Sequence, residues 1–237
     1  MDTFNGQKPK IRKENFYTLI EKLIMANENA KICFVSDSRL SRIFGNDADP
    51  RNGIAHRLTE ICPIQAVTFA AGGQRMSRYP WPSSLGESLS FVDSKSSLQY
   101  IDGLYDDLKA IVIMLDYNDW LGGDSNSLTK YLRAYNEVLN YFEDMNNNPV
   151  VMTSGFITID EENTTNDGGF YLQDFRDAQE DLAAERGKLF IPGESLLPQD
   201  QDYFYDSRHL NNLGSYTAAT NWATALQTAN ILPANYY

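Results

Sequence analysis

Asp206-Ser207-Arg208-His209-Leu210-Asn211 contains one of only two histidines in the chain; the other is His56. An aspartate three residues before a histidine, on a tight turn, can reach the ring Nδ1–H. That fixes the tautomer and leaves Nε2 free to accept a proton from a serine. Such a pair serves nucleophilic catalysis. Three blocks upstream carry the residue types it would need: Ser36-Asp37-Ser38, Ala71-Gly72-Gly73-Gln74 and Asp116-Tyr117-Asn118-Asp119.

These blocks must be positioned by regular elements, and the apolar pattern supplies them. Short runs too brief for helices read as buried strands at Lys31 to Val35, Pro63 to Phe69, Ala110 to Leu115, Pro149 to Met152 and Lys188 to Ile191. Helical spacing lies between and around them. Phe16, Leu19, Ile20, Leu23 and Ile24 predict a helix within 14–29, after a loose tail over 1–13. Leu128, Tyr131, Leu132, Tyr135, Leu139 and Phe142 share a face in 126–144, as do Phe175, Ala178, Leu182 and Ala183 in 171–186. Leu213, Tyr216, Ala219, Trp222 and Leu226 mark a closing helix. Continuous apolar strands alternating with helices predict an α/β fold, a parallel sheet covered on both faces. The segments 70–95 and 154–170, rich in Gly, Ser, Asn and Pro, read as long loops. No repeat or linker divides the chain, so a single domain over 1–237 is expected. In such sheets ligands bind beyond the carboxyl ends of the strands, which is where the blocks fall.

Together the four blocks resemble those of the SGNH hydrolases, the GDSL esterase/lipase superfamily. The resemblance runs from residue 31 to about 215. It implies a three-layer α/β/α, flavodoxin-like fold with a five-stranded parallel sheet. It maps the nucleophile to Ser38, the oxyanion glycine to Gly73 (with Gly72 one step away), the oxyanion asparagine to Asn118, and the acid and base to Asp206 and His209. Two positions depart from the family pattern. Ser36 and Asp116 stand where glycines are usual, and both are expected to point away from the site. An inward Asp116 carboxylate would disfavour a developing anion.

The chemistry follows from the residue types. Ser38 would attack an acyl carbonyl while His209 takes its proton and later returns it to the leaving alcohol. Asp206 would orient the imidazole. The N–H groups of Ser38 and Gly73 and the Asn118 amide would hold the oxyanion. No step needs a metal or cofactor. Asp37, Gly72, Tyr117 and Trp120 are weaker candidates for substrate contact, since aromatic rings beside such a site can stack on sugar faces. No apolar lid helix is visible. The expected reaction is therefore hydrolysis of a short acyl ester, acetyl-type, on a small polar or glycan substrate. A non-catalytic glycan-binding module of the same fold, and an acyltransferase using the same triad, are the alternatives.

Composition excludes other classes. With 20 Lys+Arg against 32 Asp+Glu the net charge is −12, which repels phosphate backbones, so nucleic acid is not an expected partner. No apolar run reaches the ~20 residues of a membrane span. The first residues lack a basic start followed by an apolar core, so no signal peptide is read. Cytoplasm, release without a leader, or a chain trimmed at its start all fit. Cys33 and Cys62 lie in apolar surroundings and read as small buried hydrophobes. Asp47-Ala48-Asp49 lacks calcium-loop spacing, and His56 reads as a partly exposed helical residue.

Overall fold

The computed structural model describes residues 30–41, 53–62, 64–70, 73–78, 108–145 and 149–232. The expected tail and first helix, Gly72, Asp47-Ala48-Asp49 and most of the 70–95 loop lie outside them. Five strands form one sheet: β1 (Ala30–Ser36), β2 (Ile64–Ala70), β3 (Leu108–Met114), β4 (Val150–Thr153) and β5 (Leu189–Ile191). Their order is β2-β1-β3-β4-β5, and every pairing is parallel. The helices are α1 (Ser38–Ser41), α2 (Ile54–Ile61), α3 (Tyr117–Leu121), α4 (Ser127–Leu139), α5 (Leu172–Glu185), α6 (Gly193–Leu196) and α7 (Asn212–Thr228). The expectation of a five-stranded parallel sheet between helical layers holds.

The strand sequences explain the layering. Successive side chains of a strand point to opposite faces. In β1, Cys33 and Val35 join one core cluster and Ile32 and Phe34 the other. In β3, Ile111 and Ile113 oppose Ala110, Val112 and Met114 in the same way. The first face is covered by α3, α4 and α5, through Trp120, Tyr131, Tyr135 and Phe175. The second is covered by α2, α6 and α7, through Leu58, Leu196 and Trp222, whose ring meets Phe34 edge-on at 5.5 Å between centroids. Full burial of such a side chain stabilises the fold by about 1.5–3 kcal/mol. A strand with apolar residues on both faces therefore stays between the layers.

The strand order reverses direction between β1 and β3, and this is where a parallel sheet opens a crevice. Ser36 and Met114 are paired there at the carboxyl ends. The buried Ser36 hydroxyl donates to the Met114 carbonyl at 2.9 Å, joining the two strands beneath the crevice.

One close backbone approach lies behind this point. A Cβ on Gly193 would overlap the Gly155 carbonyl, and one on Gly155 would overlap the Arg39 guanidinium. At Gly193 the obstacle is backbone, so glycine is required there; at Gly155 a side chain would have to displace Arg39.

Candidate active site

Ser38 follows β1 and opens α1. Its hydroxyl lies 3.1 Å from His209 Nε2, across 171 residues of sequence. His209 Nδ1 lies 2.7 Å from Asp206 Oδ2. The turn that carries this pair is self-supporting. Asp206 Oδ1 accepts the backbone N–H of Arg208 at 2.9 Å and of His209 at 2.8 Å. Tyr205 N–H donates to the His209 carbonyl at 2.8 Å, and Phe204 bridges Leu210. Burial pushes the Asp206 carboxyl up, but the His209 ring and the two backbone N–H groups outweigh it and hold the group below the usual carboxylate range. Asn211, the last residue of this block, caps α7 by accepting the Gly214 N–H at 2.9 Å.

The four residues 116–119 follow β3, and each reaches another block. Asp116 is buried and turned beneath the site. Its oxygens accept Arg39 Nη2 at 2.5 Å and the Gly155 N–H at 2.6 Å, with Arg176 Nε 3.9 Å away. Desolvation raises its pKa, but the Arg39 and Arg176 guanidinium groups and the Gly155 N–H outweigh this, so the carboxyl is held below the ordinary range. Burial opposes the Arg39 charge in turn, while Asp116 and Asp37 keep it protonated. The Asp116 carboxylate is thus paired with a cation from the residue after Ser38.

Tyr117 links to the histidine block. Its hydroxyl donates to Glu161 Oε1 at 2.9 Å and accepts from Arg208 Nη1. The guanidinium carbons of Arg39 and Arg208 lie 5.6 Å and 5.1 Å from its ring centroid. Burial, with Glu161 adding to it, pushes the phenol well above its usual range. Asn118 Nδ2 donates to the Gln74 carbonyl at 2.9 Å and, more loosely, to Asp37 Oδ2 at 3.2 Å. Asp119 accepts the N–H groups of Met76 at 2.5 Å and Ser77 at 3.0 Å.

Gly73 has φ +76°, in the left-handed region, with no atom within 4 Å of a would-be Cβ. The backbone conformation, not lack of space, demands glycine there. Asn118 is bonded to the carbonyl of the next residue, which brings the second and third blocks side by side.

Three of the weaker sequence candidates need correction. Tyr117 and Trp120 are buried; their rings pack against each other with centroids 5.5 Å apart, and the Trp120 indole donates to the Phe170 carbonyl at 2.9 Å. Neither presents a face on which a sugar could stack. Asp37 is fully buried, and its carboxylate is taken by Arg39 and Asn118. His56 is an exposed helical residue on α2, as the sequence suggested, with its Nε2 3.6 Å from Glu60 Oε1. Among the described residues no cluster of histidine, cysteine, aspartate and glutamate could hold a metal ion. No described helix is long and apolar enough to cross a membrane.

Sequence reasoning missed Arg39, Arg176 and Arg208. Arg176 of α5 donates to the Phe156 carbonyl at 2.9 Å and pairs with Glu162 at 2.5 Å, securing the loop behind Asp116. A signal for Arg39 was present: an acidic residue at a buried strand end calls for a cation nearby, and Arg39 directly follows the Ser36-Asp37-Ser38 block.

No protein-family model matches the chain, and no curated protein matches it. Solved structures do. A carbohydrate acetylesterase family member from Sinorhizobium meliloti superposes with a TM-score of 0.61 at 14% identity, over 84% of this chain and 97% of that one. A structure described as a GDSL-like lipase from Parabacteroides merdae gives 0.57 at 14% identity, over 83% and 95%. The chain has the SGNH-hydrolase fold. A salicylyl-acyltransferase from a tetracycline biosynthetic pathway gives a TM-score of 0.66 at 12% identity, covering 87% of this chain. The chain spans 56% of that acyltransferase's length. In this fold β1 and β3 end side by side, and Ser38 and residues 116–119 follow them.

Proposed function

We propose that the protein is a serine ester hydrolase that works through an acyl-enzyme, on short acetyl-type acyl groups carried by small polar or carbohydrate alcohols. One observation carries the reading: Ser38 Oγ, the His209 ring and the Asp206 carboxylate form a continuous relay at 3.1 Å and 2.7 Å. Both spacings are within hydrogen-bonding range for proton transfer from nucleophile to base and for orientation of that base. The acyl preference draws support from the acetylesterase likeness and from the absence of an apolar lid pattern in the sequence.

In the first half-reaction Ser38 Oγ bonds to the acyl carbon as its proton passes to His209 Nε2. Asp206 stabilises the imidazolium through Nδ1–H. The carbonyl oxygen becomes an oxyanion, held by the Ser38 and Gly73 N–H groups and one Asn118 amide hydrogen. The hydrogen facing Asp37, the longer of the two Asn118 bonds, is the one available to it. Arg39 offsets the Asp37 charge and so limits its repulsion of the oxyanion. Collapse expels the alcohol, which takes the proton from His209. Water then repeats the sequence on the acyl-enzyme, releasing the acid and free Ser38.

Hydrolysis of p-nitrophenyl acetate by the wild type and by Ser38→Ala tests the reading, with fluorophosphonate labelling of Ser38 alongside. Equal rates in the two proteins would end it. The likeness to an acyltransferase favours one second reading, in which an alcohol replaces water in deacylation. Added acceptor alcohols would then divert product from acid to new ester.

A further inference from the structure

Asp119 is a buried carboxylate that the hydrolytic steps leave unused. It is 2% exposed, and its two oxygens receive the backbone N–H groups of Met76 and Ser77 at 2.5 Å and 3.0 Å. These residues begin the short 3-10 turn Met76–Arg78, three residues beyond Gly73. The preceding residue of the same helix, Asn118, donates to the Gln74 carbonyl at 2.9 Å. One turn of α3 therefore grips the segment at residues 74, 76 and 77. Met76 adds a third hold, its side chain fully buried in the core beneath α3 and α4.

Gly73 stands immediately before this gripped stretch. Its φ of +76° lies in the left-handed region that glycine adopts without strain. Held residues one, three and four positions downstream limit how far its backbone, and with it its N–H, can shift. An oxyanion donor is useful only when it is aimed before the charge develops.

Resting on the hydrolase reading above, we propose that Asp119 is a positioning residue for the oxyanion site: by holding the Met76 and Ser77 N–H groups it fixes the Gly73 donor relative to Asn118. The carboxylate touches no reacting atom. It acts through backbone geometry, so its loss weakens binding of the tetrahedral state more than binding of the ester.

The test compares wild type, Asp119→Asn and Asp119→Glu with p-nitrophenyl acetate and with a trifluoromethyl ketone, which forms a Ser38 hemiketal bearing an oxyanion. In Asp119→Asn, kcat should fall about 100-fold, the scale of a misplacement of about 1 Å. KM should hardly move, and ketone affinity should fall by the same factor as kcat/KM. If the Asn variant does not fold, Asp119→Glu carries the test, because it keeps the charge and shifts it by one methylene; the same pattern is expected. Unchanged kcat in the folded variants, or a rise in KM with ketone affinity retained, overturns the proposal alone. A wild type without Ser38-dependent turnover overturns the hydrolase reading and this proposal with it.

Discussion

The two faces of the sheet contribute differently to the crevice. On the α2/α7 side, the core residues Leu40, Phe204 and Leu210 flank Ser38 and the Asp206–His209 turn, which would move protons. On the α3/α4/α5 side, Met76, Tyr117 and Trp120 flank Gly73 and Asn118, which would hold charge. On the side that would move protons, the carboxylate–imidazole pair is built locally, although Ser38 reaches it across 171 residues. Asp206 and His209 are three residues apart, and the Asp206 side chain remains 41% exposed. The charge-holding side is built from buried long-range bonds, with Asp116, Asn118 and Asp119 each reaching across at least 39 residues. A base must rotate slightly and meet water, whereas an oxyanion site works by not moving. The contrast in construction matches that division of labour.

Substitutions can break the comparison at its strongest point first. Ser38→Ala removes the atom both sides converge on, and kcat for p-nitrophenyl acetate should fall by about 10⁴-fold or more. Asn118→Ala leaves the proton relay intact and takes one charge-holding donor, so a drop of about 10²–10³ in kcat is expected, with Ser38 still labelled by a fluorophosphonate, only more slowly. Equal losses of relay and oxyanion function in these two variants would erase the distinction between the faces.

Arg39→Met sharpens it in stability rather than rate. Asp37 and Asp116 would be left buried beside each other without their shared cation, and denaturant unfolding should report a loss of about 3–5 kcal/mol. The double variant Arg39→Leu/Asp116→Gly removes one of the stranded charges and should recover part of that loss.

The smallest expected effect is a pH dependence. Asp119, buried and bonded to the Met76 and Ser77 backbone and the Ser77 side chain, with Arg75 at longer range, is pushed up to about 6 by desolvation. A carboxyl whose folded pKa lies above its unfolded one contributes its stability below the unfolded value and loses it as pH rises through the folded one. Between pH 4 and 7 the contribution of Asp119 should therefore decline, on the order of 3 kcal/mol at most. Asp116 and Asp206, held low, act in the opposite sense and lose their contributions only in stronger acid. Thermal unfolding of Asp119→Asn at the two ends of that window should show the smaller difference. An unchanged difference would mean that another group dominates.

The strands were legible because residues buried on two faces must be apolar throughout, and Ala110 to Met114 is such a run. The Asp206–His209 turn was legible because its geometry is local and its residue types are scarce. What could not be read were pairings across the fold. Nothing in the spacing of Arg39 and Asp116, Arg208 and Tyr117, or Asp119 and Met76 announces their contact, since 77, 91 and 43 residues separate them. Tyr117 and Trp120 misled for a related reason. Loop position says where a ring begins, not which way it turns, and both turn into the α3/α4/α5 core.

The glycine pair at 155 and 193 has a consequence for how the protein tolerates change. Gly193 stands at the exit of β5 with no chemical duty, yet a single methyl added there would push on Gly155, whose N–H is bonded to Asp116 and whose Cα borders Arg39. Steric pressure at the far strand would thus be relayed, contact by contact, to the residue next to Ser38. Mutational intolerance in this protein should extend well past Ser38, Asn118, Asp206 and His209.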